Sequence, residues 1–237
     1  MMKKGTVYLV GAGPGDPGLI TVRGRELLQR ADAVFYDRLV SPLLLAACRP
    51  QARIVYVGKR SDQGGTGQRA INAQLFRAAR AGQTVVRLKG GDPFIFGRGG
   101  EEAAELSRAG IPFEIVPGIT SAIAVPAYAG IPLTDRRLAS SVAIVTGHED
   151  PGKPERALRW DRLATSCDPL VFLMGVGTLA QTAHTLIRHG RRPATPCAVV
   201  EWGTTPRQRT VAATLGRITA AVRRAGLRPP AILVVGE

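Results

Sequence analysis

The sequence predicts an α/β protein made of two α/β lobes. Three observations lead there. Short β-branched runs alternate with helical patterns through the first half, which is the signature of a parallel sheet with helices on both faces. The strand runs are near-continuously apolar, as strands covered on both faces are. The alternation then restarts after a junction at Pro132–Ser140. At 237 residues the chain is long enough for one large domain or two small ones with a substantial core.

In the first half, strands are expected at Thr6–Val10, Ala33–Tyr36, Arg53–Val57, Thr84–Leu88 and Phe113–Val116. Helical patterns fall between them at Leu19–Arg30, Gln68–Ala81 and Glu101–Arg108, with a shorter one at Pro42–Ala47. In the second half, strands are expected at Ser141–Val145, Leu170–Leu173, Cys197–Val200, Arg209–Val211 and Ile232–Val235, with helices at Thr178–His189 and Leu215–Arg224. Gly147–Trp160, rich in Pro, Gly and charge, reads as a mobile connection or lid. The lobes are drawn as 1–135 and 136–237, with the site in the cleft between them, a common place for a small-molecule ligand. The first lobe carries the substrate crevice and a Gly-rich loop, and the second completes the site.

The most informative stretch is Arg87-Leu88-Lys89-Gly90-Gly91-Asp92-Pro93-Phe94-Ile95-Phe96-Gly97-Arg98-Gly99-Gly100-Glu101-Glu102. Five glycines in the eleven residues 90–100 surround a lone carboxylate between a strand and a helix. Glycine lets backbone turn with positive φ and approach a ligand closely. A carboxylate held there suits hydroxyls or an ammonium better than a phosphate. Gly11-Ala12-Gly13-Pro14-Gly15-Asp16-Pro17-Gly18 follows the first strand and invites a dinucleotide reading, but the third glycine of GxGxxG would fall at Asp16. Two prolines also disturb the turn that would offer amides to a pyrophosphate. A P-loop fails as well, because Arg53 and Arg60 stand where Gly and Ser or Thr are needed.

Strand ends supply the rest. In open α/β sheets the carboxyl ends face the ligand crevice. Asp37, in Tyr36-Asp37-Arg38-Leu39-Val40-Ser41, is thus placed either for proton transfer or substrate binding, or for a surface pair with Arg38 or a cap. Val57-Gly58-Lys59-Arg60 puts Lys59 at the third strand end, and Val116-Pro117-Gly118-Ile119-Thr120-Ser121 offers Thr120 or Ser121 as a helix cap.

Composition bounds the function classes. The net charge is +14, from 32 Lys and Arg against 18 acids, and the basic residues are scattered. That suits a polyanionic small substrate or nucleic acid. Aromatics at 5% leave few stacking platforms, so nucleic acid is not expected. Cys48, Cys167 and Cys197 are widely spaced, and His184 and His189 are five apart, so neither a disulfide framework nor a metal site is expected. Met1-Met2-Lys3-Lys4 is followed by too short an apolar run for a signal peptide, and no run approaches membrane-spanning length; the expectation is a cytoplasmic protein with no membrane partner.

Taken together the motifs resemble the tetrapyrrole methylase superfamily, and within it the uroporphyrinogen-III C-methyltransferase family. The pieces are VGAGPGDPGLITVRG (10–24), YDRLVS (36–41), VGKR (57–60), RLKGGDPFIFGRGGEE (87–102), VPGITSA (116–122), GIPLTDR (130–136), VTGH (145–148), LMG (173–175) and EWGTTPRQR (201–209). They span essentially the whole chain. The second and fourth are the most specific, and VTGH and LMG are weak alone. The siroheme-synthase relatives add a dehydrogenase and ferrochelatase module before the first methylase strand; none is expected here, since the chain begins at that strand.

The resemblance implies methyl transfer from S-adenosylmethionine to carbons 2 and 7 of uroporphyrinogen III, giving precorrin-2 by way of precorrin-1, for siroheme and cobalamin synthesis. S-adenosylhomocysteine is the product, no metal is needed, and a homodimer is implied. Carried over by position, the cofactor residues are Pro14, Gly90, Gly91, Asp92, Ile95, Thr120, Ser121, Met174, Gly203 and Ala231. The proton acceptor falls on Asp37 and the proton donor on Lys59. Arg38 and Arg98, with Lys59, are the motif-adjacent candidates for the substrate's carboxylates. Ser121 departs from the alanine often found in relatives. A later corrin-ring methylase or a diphthine synthase is opposed by YDRLVS and the full GRGGEE extension, and an RNA methyltransferase by the absence of an RNA module. A non-enzymatic binding module leaves Asp37 and Lys59 without a purpose.

Overall fold

A computed structural model describes residues 5–58, 67–147 and 158–237. The chain divides into two compact units, Met1–Thr120 and Ser121–Glu237.

The first unit contains β1 (Val7–Gly11), α1 (Val22–Arg30), β2 (Ala33–Tyr36), α2 (Pro42–Leu45), β3 (Arg53–Tyr56), α3 (Gln68–Arg80), β4 (Val85–Lys89), α4 (Gly99–Arg108) and β5 (Phe113–Val116). Its five strands form one parallel sheet in the order β3-β2-β4-β1-β5. The period of two along each strand explains why both faces are covered. In β1, Val7 and Leu9 join Ile71 and Leu75 of α3 and Leu106 of α4 in one buried cluster, while Val10 joins Leu27 and Leu28 of α1 in another. In β4, Val85 lies in the first cluster and Val86 and Leu88 in the second, so Arg87 and Lys89 share the face that α3 and α4 cover. Those two cations are only 4% exposed, and that burial shapes the site at the strand ends.

Helix boundaries follow local chemistry. The pattern expected from Leu19 begins instead as a 3₁₀ turn, Pro17–Leu19, because Pro17 opens it and the Asp16 carboxylate accepts from the Gly18 amide at 2.7 Å. α1 starts at Val22 with Thr21 as its cap, Thr21 Oγ1 accepting from the Gly24 amide at 3.1 Å. The Asp at position 16, which spoils the dinucleotide fingerprint, is thus a turn cap.

The second unit contains α5 (Ser121–Tyr128), β6 (Ala143–Thr146), α6 (Trp160–Ser166), β7 (Leu170–Leu173), α7 (Leu179–Arg188), β8 (Pro196–Glu201), β9 (Arg209–Thr214), α8 (Ile218–Ala225) and β10 (Ala231–Val235). Its sheet, in the order β6-β7-β10-β8-β9, is mixed: β6 and β7 are parallel, and the β7–β10, β10–β8 and β8–β9 pairs are antiparallel. One face packs against α6, α7 and α8 through Phe172, Val199 and Leu233. The other receives Ala122 and Val125 of α5 against Val171, Val200, Ile232 and Val234. α5 therefore belongs with the second sheet, and the division falls after Thr120 rather than at the junction drawn from sequence at 135/136. Sequence periodicity gives no sign of α5, because it is apolar around its circumference, carries Pro126 and shows no amphipathic stripe. Most of the segment read as a lid lies outside the described residues; its last residue, Trp160, opens α6. Among the described residues no helix is long and apolar enough to cross a membrane.

Candidate active site

The carboxyl ends of β1, β4 and β5 meet through glycines. A Cβ on Gly118 would lie 2.3 Å from the Gly91 carbonyl oxygen and 2.6 Å from the Gly11 Cα, so these three backbones touch with no room for a side chain. Gly13 and Gly91 exchange backbone hydrogen bonds, at 3.2 and 2.7 Å, and tie the two glycine loops together. Both have positive φ, 77° and 68°.

Asp92 organises the rest of the β4 loop. Its Oδ1 accepts from the amides of Phe94 at 2.8 Å and Ile95 at 3.2 Å, and its Oδ2 from the amide of Gly118 at 3.0 Å. One carboxylate thus turns the glycine loop and fastens it to the loop after β5. Phe96 and Arg98 then adopt left-handed φ values of 51° and 58°, unusual for residues other than glycine, before α4 begins at Gly99. Ile95 stays exposed at the loop tip. Arg98, expected to meet substrate, is engaged by Glu101 in a forked pair at 2.9 and 2.7 Å. An acidic ligand would have to displace that carboxylate.

Asp37 stands at the end of β2, partly exposed. Its Oδ1 accepts from the amides of Leu39 at 3.2 Å and, more weakly, Gly90 at 3.4 Å. Its Oδ2 faces Nη1 of Arg87 at 3.7 Å, close enough for attraction but beyond a hydrogen bond. Asp37 thus pairs with Arg87 rather than with Arg38, which is exposed beside it. Behind Asp37 lies a buried ion cluster. Glu102 of α4, 1% exposed, takes Nε of Arg87 on Oε1 at 3.1 Å and stands 3.0 Å from Nζ of Lys89 through Oε2. Gln68 of α3 donates to the same Oε1 at 3.0 Å.

The electrostatics follow from that burial. Burial pulls the Lys89 ammonium below its ordinary value, and the Arg87 charge adds to this against the pull of Glu102. For Glu102 burial works the other way, but the charges of Arg87 and Lys89 and the bonds from Lys89 and Gln68 outweigh it and hold the carboxyl below its usual range.

In the second unit three expected residues gather at one end of the sheet, and a fourth lies at the start of α5. Met174 follows β7 with φ 59° and is 53% exposed. Gly203 follows β8; a Cβ there would lie 2.3 Å from Cγ1 of Val125 in α5. Ala231 opens β10 opposite Glu201, and Ser121 opens α5. Trp202 and Thr204 flank Gly203, both at positive φ, 47° and 64°. Strained non-glycine backbone on either side of one glycine marks a loop whose shape is over-determined by its surroundings.

Residues 6–219 match the family of Tetrapyrrole (Corrin/Porphyrin) Methylases. The chain belongs to that family. Among its relatives, the uroporphyrinogen-III C-methyltransferase of Priestia megaterium is 50% identical over 233 residues, covering 98% of both chains. The siroheme synthase of Acinetobacter baylyi is 51% identical over 234 residues, 99% of this chain but 51% of that one. The chain spans about half the length of the siroheme synthases it matches. A crystal structure of the Thermus thermophilus uroporphyrin-III C-methyl transferase complexed with S-adenyl homocysteine superposes with a TM-score of 0.84 at 45% identity, over 98% of each chain.

In this tetrapyrrole methylase, then, the first unit brings Asp37, Gly90, Gly91 and Asp92 together at the strand ends. Pro14 sits in the β1 loop and Thr120 just after the β5 loop, while Met174, Gly203 and Ala231 gather in the second unit. Lys59 lies outside the described residues. Sequence reasoning passed over Arg87, Lys89 and Glu102. The signal was present, as two cations alternating with apolar residues in a strand that is otherwise fully apolar.

Proposed function

We propose that this chain transfers methyl groups from S-adenosylmethionine to carbons 2 and 7 of uroporphyrinogen III, making precorrin-1 and then precorrin-2. The observation that carries this is the end-to-end match to the Priestia megaterium protein, with neither chain left uncovered by more than a few residues. Siroheme and cobalamin synthesis are the routes such a product feeds, and a cytoplasmic homodimer is the form in which we expect the enzyme to act.

The proposed cofactor residues are Pro14, Gly90, Gly91, Asp92, Ile95, Thr120, Ser121, Met174, Gly203 and Ala231. Their chemistry fits an uncharged nucleoside bearing an amino-acid tail. They are glycines, small residues, exposed apolar side chains, Ile95 and Met174, and one carboxylate, Asp92, and none is a cation of the kind that clamps phosphate. When bound, S-adenosylmethionine supplies a methyl group already activated on sulfonium, so the chain's task is alignment and proton handling.

Asp37 is the proposed proton acceptor. When the pyrrole carbon forms its new bond to the methyl carbon, the C–S electron pair stays on sulfur and the ring becomes cationic. Loss of a ring-system proton restores neutrality, and the Asp37 carboxylate takes it, directly or through water. One oxygen is steadied by backbone amides and the other has no hydrogen bond from Arg87, which leaves lone pairs for that proton. Lys59 is the proposed proton donor. Arginine suits the eight carboxylates of the substrate, and Arg38 is the exposed candidate nearest Asp37.

The test is anaerobic incubation with S-adenosylmethionine and uroporphyrinogen III, followed by mass spectrometry of the tetrapyrrole. A gain of two methyl groups is expected. No gain, with S-adenosylhomocysteine still bound, overturns the substrate assignment. Asp37→Ala should slow methylation by about a hundredfold or more with cofactor affinity nearly intact; parallel loss of both would make Asp37 structural.

A further inference from the structure

The ion cluster behind Asp37 has no part in the methyl transfer as proposed above, and its burial asks for a reason. Four charges, Asp37, Arg87, Glu102 and Lys89, alternate in sign within one cluster. Arg87 and Lys89 stand two residues apart on the same face of β4, each 4% exposed. Buried ion clusters add little net stability compared with apolar packing of the same volume, because desolvation cancels most of the attraction. Geometry supplies a different role. Glu102 draws both cations toward α4, Nε of Arg87 to 3.1 Å and Nζ of Lys89 to 3.0 Å. Arg87 Nη1 is turned onto the carbonyls of Leu88 at 3.0 Å and Phe35 at 3.4 Å. The result is that Nη1 stops 3.7 Å short of Asp37.

We propose that Glu102 is a positioning residue that holds the two buried cations of β4 away from Asp37, leaving its carboxylate free to accept the proton released after methyl transfer. This rests on the reading of Asp37 as that acceptor. In the step concerned, the pyrrole carbon's electron pair makes the C–C bond and the C–S pair stays on sulfur. The C–H pair then returns to the ring system as the proton passes to Asp37 Oδ2. Without Glu102, Arg87 and Lys89 would be buried cations with Asp37 as the remaining carboxylate of the cluster. A charge-assisted, forked pair with Arg87 would then occupy the oxygens that the reaction needs.

The test uses the full chain and compares three variants by single-turnover methylation and by calorimetric binding of S-adenosylhomocysteine. Glu102→Gln should slow methyl transfer about tenfold or more while cofactor affinity stays within about twofold. Lys89→Met with Glu102→Gln removes one charge of each sign, keeps the cluster neutral if the single variant does not fold, and should be equally slow because Arg87 still reaches Asp37. Adding Arg87→Gln to that pair removes the competitor, and most of the lost rate should return. Rescue by a third substitution is not what a merely structural residue would give. A wild-type rate in Glu102→Gln, or a triple variant no faster than the double, overturns the proposal; so does a fall in cofactor affinity that matches the fall in rate. Should Asp37→Ala itself keep its activity, the reading beneath it fails instead, and that outcome is separate from any of these.

Discussion

Asp92→Asn is the substitution that tests most directly how the glycine loop is held. In the native loop one carboxylate accepts three backbone N–H groups, two on Oδ1 and one on Oδ2. Asparagine has one acceptor oxygen and one donor nitrogen. Its better orientation keeps the Phe94 and Ile95 bonds and points an NH₂ at the Gly118 amide. That loses one hydrogen bond, worth about 1 kcal/mol, and leaves a partly buried donor facing a donor, worth about 1–2 kcal/mol more. The expected destabilisation is therefore about 2–3 kcal/mol. If unfolding is two-state, that lowers Tm by roughly 4–12 °C at this chain length. The link between the β4 and β5 loops opens, and cofactor affinity should fall about tenfold through loss of preorganisation. Differential scanning calorimetry and isothermal titration with S-adenosylhomocysteine read the two effects. Unchanged Tm with a large loss of affinity would refute this account and make Asp92 a direct ligand contact. Unchanged affinity with lowered Tm would remove the loop from the cofactor site.

Three further outcomes are expected. Gly118→Ala places a methyl 2.3 Å from the Gly91 carbonyl oxygen, so backbone must move; a destabilisation of about 1–3 kcal/mol is expected, and an unchanged urea midpoint would show that the glycine contact gives way freely. Cys197, whose thiol burial pushes up to about 12, should resist thiol-specific reagents at mildly alkaline pH until the protein unfolds, and mass spectrometry showing early labelling there would contradict its burial. Glu102, held below the ordinary carboxylate value of 4.5, binds fewer protons folded than unfolded in that range. Its contribution is present above pH 4.5 and is lost as the pH falls through its lowered folded value. Urea midpoints measured from about pH 5 downward should decline more steeply in the wild type than in Glu102→Gln, and equal slopes would sink the assignment.

Much of this fold is legible in the amino-acid sequence. Nine of the ten strands among the described residues begin within one residue of their expected starts, and β6 begins two residues late, at Ala143. For the inner strands such as β1, β4 and β10 the reason is that a strand covered on both faces leaves a short, dense apolar run that few other structures produce. The glycine loop and Asp37 are legible for a related reason: ligand loops at strand ends need residues that bend, and a carboxylate there stands out against apolar neighbours. Only the start of α5 is legible, in the helix cap read at Thr120 or Ser121; its extent is not, since a helix of apolar residues such as Ala122, Ile123 and Val125 has no polar face to set a period. Sequence also says nothing of strand order. That β4 lies between β1 and β2, and that the second sheet turns antiparallel after β7, are decided by which apolar faces cover one another.

Glu102 shows the division most sharply. As a residue in the first turn of a helix, an acid is explained well enough by the helix dipole, and composition asks nothing more of it. Only the packing of α4 over β4 brings its carboxylate to Arg87 and Lys89 and buries all three. Local sequence determined which segments are strands and which loops can turn sharply around a ligand, because propensity and periodicity act over a few residues. Which charges meet, and which are kept apart, was decided by the tertiary structure, because the partners stand 13 and 15 positions away in the chain and share nothing but the space between a helix and a sheet.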